Sequence, residues 1–146
     1  MGDLEQRISA SFRAQGLMTL LGAELVHVAE GEVHIALAPR PELCQQHGQI
    51  HAGVLTSVLD SACGYAAMTV AQPGLDVLTV EFKVSFIRPA ARADRFIAVA
   101  KVTTAGKSLT ACQGEIIGEE GSQRKAIAVM QATISYVPGN GEKGNT

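Results

Sequence analysis

Tryptophan is missing from this chain, and only two tyrosines and four phenylalanines take its place. With a hydrophobic fraction of 47%, the core must be built mainly from alanine, valine, isoleucine and leucine. Charge is scarce as well. Asp, Glu, Lys and Arg make up 18% of the residues, little for a monomer's surface, which points to some surface buried in an oligomer. No run of basic residues occurs and the net charge is −2, so nucleic acid is not an expected partner. The three cysteines, Cys44, Cys63 and Cys112, are an odd and widely spaced set, a poor disulfide framework. No pair has C-x-x-C spacing, which argues against structural zinc. Reduced thiols and a cytoplasmic location are the expectation. The start, MGDLEQRISA, lacks the basic-then-apolar order of a secretory signal. The longest apolar stretches are broken by Gly, Ser, Asp or Thr, so no membrane-spanning helix is expected.

The 146 residues fit one domain with a sizeable core. Leu4, Ile8 and Phe12, followed by Leu17, Leu20 and Leu21, predict a helix that Gly16 breaks in two. The period then changes. Val33, Ile35 and Leu37 alternate with Glu32, His34 and Ala36, and a turn at Glu30-Gly31 joins this strand to one before it. A polar loop, ELCQQHGQIH over 42–51, leads to the most helical segment, Ala52 to about Val70. There Val54, Leu55, Val58, Leu59, Ala62, Cys63, Ala66 and Ala67 form an apolar stripe of mostly small residues. Four strands follow. Leu78, Val80, Phe82, Val84 and Phe86 alternate with polar residues, and further strands are predicted over about 95–104, 107–117 and 124–137, with turns at Gly106 and over 118–122. This order predicts an α+β domain over 1–137, an antiparallel sheet wrapped around one long helix, and a disordered tail over 138–146.

The chemistry concentrates where the polar loop meets that helix. A helix start offers unpaired N–H groups and the positive end of the helix dipole, and Ala52 and Gly53 are small enough to let a substrate approach. Those are the requirements of an oxyanion hole. Asp60 lies within the otherwise apolar helix, among Val58, Leu59, Ser61 and Ala62. If partly buried there, it carries a cost that a function would explain; patterning alone leaves it equally a solvated residue on the outer helix face. His47 and His51 read most simply as loop and N-cap residues, Gln45 as a surface glutamine, and Thr79 as an ordinary strand threonine. Ala52 and Asp60 are eight positions apart, roughly 12 Å along a helix. If both act on one carbonyl, the second must come from another copy of the chain.

The run QQHGQIHAGVLTSVLDSACGYAA, with VLTVEFK and FIRPA after it, resembles the phenylacetate-degradation branch of the hotdog-fold thioesterases. That branch belongs with the 4-hydroxybenzoyl-CoA thioesterases of the Arthrobacter type. The resemblance spans about residues 15–137 and centres on an H-x-G-x(6)-D spacing, met by His51, Gly53 and Asp60. It implies a hotdog fold and acyl-CoA hydrolysis without metal or redox cofactor. It implies that Asp60 is nucleophile or general base, and that the Ala52 N–H polarises the carbonyl at a position where many members carry Gly. It further implies that Gln45 points into the site, His51 shapes the loop, Thr79 orients water, and Arg88 with the Gly106-Lys107-Ser108 turn holds CoA. By uniform alternation, however, Thr79 faces away from the Leu78, Val80, Phe82 row, so its role requires an interface location. The expected assembly is a homodimer joined edge to edge, paired into a homotetramer. Two other readings stay open: a hotdog hydratase or dehydratase using His51 and Asp60, and a non-catalytic acyl-CoA-binding module.

Overall fold

The computed structural model describes residues 2–91 and 93–139. The central element is the helix α3, Ala52–Thr69. Before it come helices α1 (Asp3–Ala14) and α2 (Gly16–Leu21), and strands β1 (Glu24–Ala29) and β2 (Glu32–Leu37). After it come β3 (Leu75–Phe86), β4 (Arg95–Ala105), β5 (Leu109–Glu120) and β6 (Gln123–Pro138). All strand pairs are antiparallel, in the order β1-β2-β4-β5-β6-β3. This is the expected sheet around a helix, the hotdog fold.

The sheet can wrap α3 because the C-terminal half of the helix is almost wholly apolar. From Ala62 to Thr69 each residue is buried, and Leu55, Val58 and Leu59 extend the buried surface toward the N-terminus. The sheet supplies inward rows such as Ile35, Ala98, Ile116 and Ala128, which are partners across four strands. Helix α1 closes the remaining side: Ile8 and Phe12, one turn apart, are buried, and the Phe12 ring lies 6.0 Å from that of Tyr65. The last carbonyls of a helix have no partner within it, and here side chains meet them. Arg7 donates to Met68 O at 3.0 Å, Tyr136 to Ala67 O at 2.8 Å, and Thr69 to Ala66 O at 2.7 Å. The Thr69 hydroxyl also accepts the Gly31 N–H at 2.7 Å, tying the β1–β2 turn to the end of α3. Gly31 has φ +77°, the left-handed conformation that the Glu30-Gly31 turn requires of glycine.

Three local differences from the sequence expectation have physical causes. The break between the first helices falls at Gln15, whose backbone is extended, and Gly16 opens α2. The turn expected over 118–122 is shorter. β5 runs on to Glu120, and Gly118 sits within it because a Cβ there would press on Ile127 at 3.3 Å. The alternation of β3 is broken by a bulge at Val80, where pairing with β6 skips from Thr79 to Glu81. Leu75, Val77 and Thr79 therefore share the inward face with Phe82 and Val84, across from Ile134, Ala132 and Met130. Leu78 and Val80 are left 61% and 56% exposed. Of the expected tail, residues 140–146 lie outside the described residues. Pro138 still belongs to β6, and the Gly139 N–H donates to Gly74 O at 2.8 Å.

The tightest contact between helix and sheet is at Gly114 of β5. A Cβ at this position would stand 2.7 Å from Leu59 Cδ1 and 3.2 Å from Cys63 Sγ, and both side chains are fully buried. Gly114→Val should therefore destabilise the fold by about 1–3 kcal/mol, the usual cost of overpacking. Thermal unfolding should show it as a lowered Tm, and an unchanged Tm would mean that the sheet stands off the helix there.

Candidate active site

The loop before α3 is built by its own hydrogen bonds. Gln45 N–H donates to Gln49 O at 2.8 Å and Gly48 N–H to Gln45 O at 3.0 Å, with Gly48 at φ +84°. The Gln45 side-chain oxygen accepts from His47 N–H at 2.5 Å and Gln49 N–H at 3.3 Å. That oxygen therefore serves the loop, and only the amide nitrogen remains to face a substrate. His51 is the N-cap of α3, and its Nδ1 accepts the Gly53 N–H at 2.8 Å. Val54 N–H is taken by His51 O at 3.0 Å. The Ala52 N–H is thus left as a first-turn donor with no acceptor among the described residues. Ala52 and Gly53 are both exposed, so the start of the helix lies at the surface.

Asp60 is half-buried two turns further on, and its Oδ1 accepts the Thr79 hydroxyl at 2.7 Å. The Val80 bulge makes this contact possible by setting Thr79 on the face toward the helix, so Thr79 needs no second chain to reach Asp60. The pair opens into a cleft of about 500 Å³ between α1, α3 and β3. Sequence reasoning passed over the polar groups that line it: Gln15, Ser61, Tyr65 and Asp76. Ser61 donates to the Gln15 side-chain oxygen at 3.0 Å, and Ser11 donates to the Tyr65 phenol at 3.3 Å. Burial pushes the Tyr65 phenol up, against the Ser11 hydrogen bond, which acts the other way. One available signal was Gln15, a polar residue at the point where helical periodicity breaks.

The sequence-predicted residues fall into two groups. Asp60, at the middle of α3, meets Thr79 on the edge strand β3, and the loop with His51, Ala52 and Gly53 lies at the N-terminal end of the helix. Arg88 belongs with the loop: it donates to Ala126 O at 2.9 Å, and Ala90 O accepts the Ile50 N–H at 3.1 Å. Lys107 and Ser108 are exposed in the β4–β5 turn, where Ser108 O accepts the Tyr136 N–H at 3.1 Å. From residue 126 to residue 136, at 3.2–3.4 Å each, is roughly 33 Å along β6. One chain therefore does not bring Arg88 together with Lys107 and Ser108.

Residues 47–125 match the family model of the thioesterase superfamily. The chain belongs to that family. It is 24% identical over 134 residues to acyl-coenzyme A thioesterase PaaI of Escherichia coli K12, covering 92% of this chain and 91% of the relative. Among solved structures, a thioesterase family protein from Silicibacter pomeroyi matches with TM-score 0.89 at 39% identity, over 93% of this chain and 99% of that one. The E. coli PaaI protein from the phenylacetic acid degradation operon matches with TM-score 0.83 at 24% identity, over 93% and 94%. This thioesterase is accordingly a thioester hydrolase of the PaaI-like branch. Among its described residues, no helix is long and apolar enough to cross a membrane.

Cysteine is a common nucleophile in acyl transfer, and Cys63 lies one turn from Asp60, but its environment rules it out of that role. Burial, followed by the proximity of Cys112 and Asp60, raises its pKa far above the ordinary thiol range. Burial also pushes Cys112 up to about 11. Neither forms a thiolate at neutral pH, and the thiolate is the reactive form. The half-exposed Cys44 should be the one thiol per native chain that reacts quickly with a disulfide reagent, and all three should react after unfolding. Fast reaction of two or three thiols in the native thioesterase would contradict the buried placement.

Proposed function

We propose that this thioesterase hydrolyses an acyl-CoA at a site shared between two chains, with the Ala52 N–H of one chain and Asp60 of its partner acting on the same carbonyl. The observation that carries this reading is the continuous helix α3, which holds both groups at fixed spacing. Eight residues at 1.5 Å separate them by roughly 12 Å, too far for one thioester carbonyl. Two-fold pairing along the free edge of β3 would bring the loop of one chain to Asp60 of the other. The exposed Leu78, Val80 and Phe82 on that edge support it, since apolar side chains on an unpaired edge mark a surface that pairs. The same two-fold would join Arg88 of one chain to Lys107 and Ser108 of the other, giving CoA one continuous basic path. A pair of such dimers agrees with the low charged fraction.

In this site the thioester oxygen accepts the Ala52 N–H, which with the helix dipole stabilises the tetrahedral oxyanion. The Thr79 hydroxyl fixes one Asp60 oxygen and leaves the other free to act. Asp60 either takes a proton from water as the water oxygen adds to the carbonyl carbon, or adds to that carbon itself and forms an anhydride that water then opens. Collapse of the oxyanion breaks the C–S bond, and CoA leaves as a thiolate that takes up a proton. Gln45 and His51 hold the loop, and Gly53 keeps its approach open. The fit to a hydratase is poorer, because His51 Nδ1 is engaged as a helix cap. The polar cleft at Asp60 argues against a module that only binds.

Asp60→Asn is nearly isosteric and removes the charge that drives attack. Turnover should fall by at least ~100-fold with the fold intact, the scale of a positioned acid or base. Gln45→Ala should cost less, since that side chain orients rather than reacts. Free-thiol detection across aromatic and aliphatic acyl-CoA esters measures both effects, with enoyl-CoA hydration followed in parallel. Near-normal hydrolysis by Asp60→Asn would remove Asp60 from the chemistry, and hydration without CoA release would favour the hydratase.

A further inference from the structure

The opposite edge of the sheet carries a side-chain cluster that thioester hydrolysis does not use. β1 has a bulge at Val26, where pairing with β2 skips from Leu25↔Ile35 to His27↔His34. Leu25 and Val28 can both pack against the core as a result, and His27 turns outward directly across from His34. Glu32, two residues before His34 on the same strand, shares that outer face. His34 Nε2 lies 2.7 Å from Glu32 Oε1, and the two imidazole centroids are 4.6 Å apart. One potential ligand atom from each of the three residues falls within 4.8 Å of the others.

We propose that His27, Glu32 and His34 bind a first-row divalent transition-metal ion such as Zn²⁺ or Ni²⁺, which clips the edge strand β1 to β2. Two imidazoles and one carboxylate form a ligand set that such ions favour, with further positions left to water. Bonds of 2.0–2.2 Å place ligand atoms around one ion roughly 3–4 Å apart, so small side-chain rotations suffice to close the set. None of the three is fully buried, so the rotations meet little resistance. The Glu32 carboxyl is held below its usual range, chiefly by the hydrogen bond from His34, with burial opposing it and the charges of Lys101, His34 and His27 adding to it. Lys101, the cross-strand partner of Glu32, is exposed and free to swing aside. Cysteine spacing, which argues against structural zinc, does not bear on this histidine set. The site sits at the β1 edge and Asp60 contacts the β3 edge, so the ion would stabilise the hairpin without entering the reaction.

The test uses the tag-free, full-length thioesterase after chelator treatment, titrated calorimetrically with ZnCl₂, NiCl₂ or MgCl₂. Zn²⁺ and Ni²⁺ should each bind at one ion per chain and raise the Tm as their concentration rises. Mg²⁺, which prefers oxygen ligands, should do neither. His27→Ala and Glu32→Gln should each weaken Zn²⁺ binding at least ~10-fold while circular dichroism shows a folded chain. His47→Ala and Cys44→Ser should leave the affinity unchanged. Chelator-treated protein should retain full hydrolysis. Absence of Zn²⁺ binding, or binding that survives His27→Ala, would overturn the site, and hydrolysis that disappears with the metal would overturn its separation from the reaction.

Discussion

A helix that runs into the core must have its ends accounted for, and α3 accounts for them unequally. Its carbonyl end is deep in the fold, and Arg7, Tyr136 and Thr69 each donate to one of its last carbonyls. Its amide end reaches the surface, where His51 caps the Gly53 N–H and the Ala52 N–H is left over. Leaving a carbonyl unpaired in the core would cost more than a surface amide that water can reach. The protein thus anchors the helix at one end and keeps a donor accessible at the other. The oxyanion-binding position proposed here would follow from this asymmetry without any specialised side chain.

The same helix sets the limits of the chemistry. Because it is straight and continuous, Asp60 cannot approach the Ala52 N–H of its own chain. Asp60 is instead held at the β3 edge by Thr79, beside the apolar residues that a single chain leaves exposed. Each chain then holds the two halves of the proposed site two turns apart on one helix, one at its start and one at its middle. In the proposed dimer these halves are complementary, and the fixed spacing along the helix is why that proposal calls for a partner. The buried thiols fit this division, since Cys63 and Cys112 lie against the packed middle of the helix and contribute volume only.

Much of this was legible in the sequence. The apolar stripe from Ala52 onward, the Glu30-Gly31 turn and the four strands after the helix each have one plain physical reading, and the structure agrees with them. The H-x-G-x(6)-D spacing pointed to the family to which the chain belongs. What escaped were the features that break a period. The bulges at Val26 and Val80 reverse which side chains face inward, and nothing in the local residue pattern marks them, because an exposed valine fits a strand equally well on either face. Thr79 was therefore expected to point away from the helix. Gly118 was expected to turn the chain because glycine commonly does so, although here it makes room for Ile127 and Phe96. The inward turn of the Gln45 oxygen was equally invisible, since a glutamine in a polar loop carries no sign of which partners it will choose.

The shared site is tested most directly by mixing two inactive variants, Asp60→Asn and Gly53→Val. A Cβ at position 53 would stand 3.0 Å from His51 Nδ1, so valine there should disturb the capped helix start and with it the Ala52 donor. After co-unfolding and refolding, a heterodimer would carry both lesions in one site and neither in the other. With random pairing and independent sites, activity should return to about a quarter of the wild-type level. Heterodimers that form, as shown by mass-tagged subunits, and remain inactive would contradict a site built from two chains.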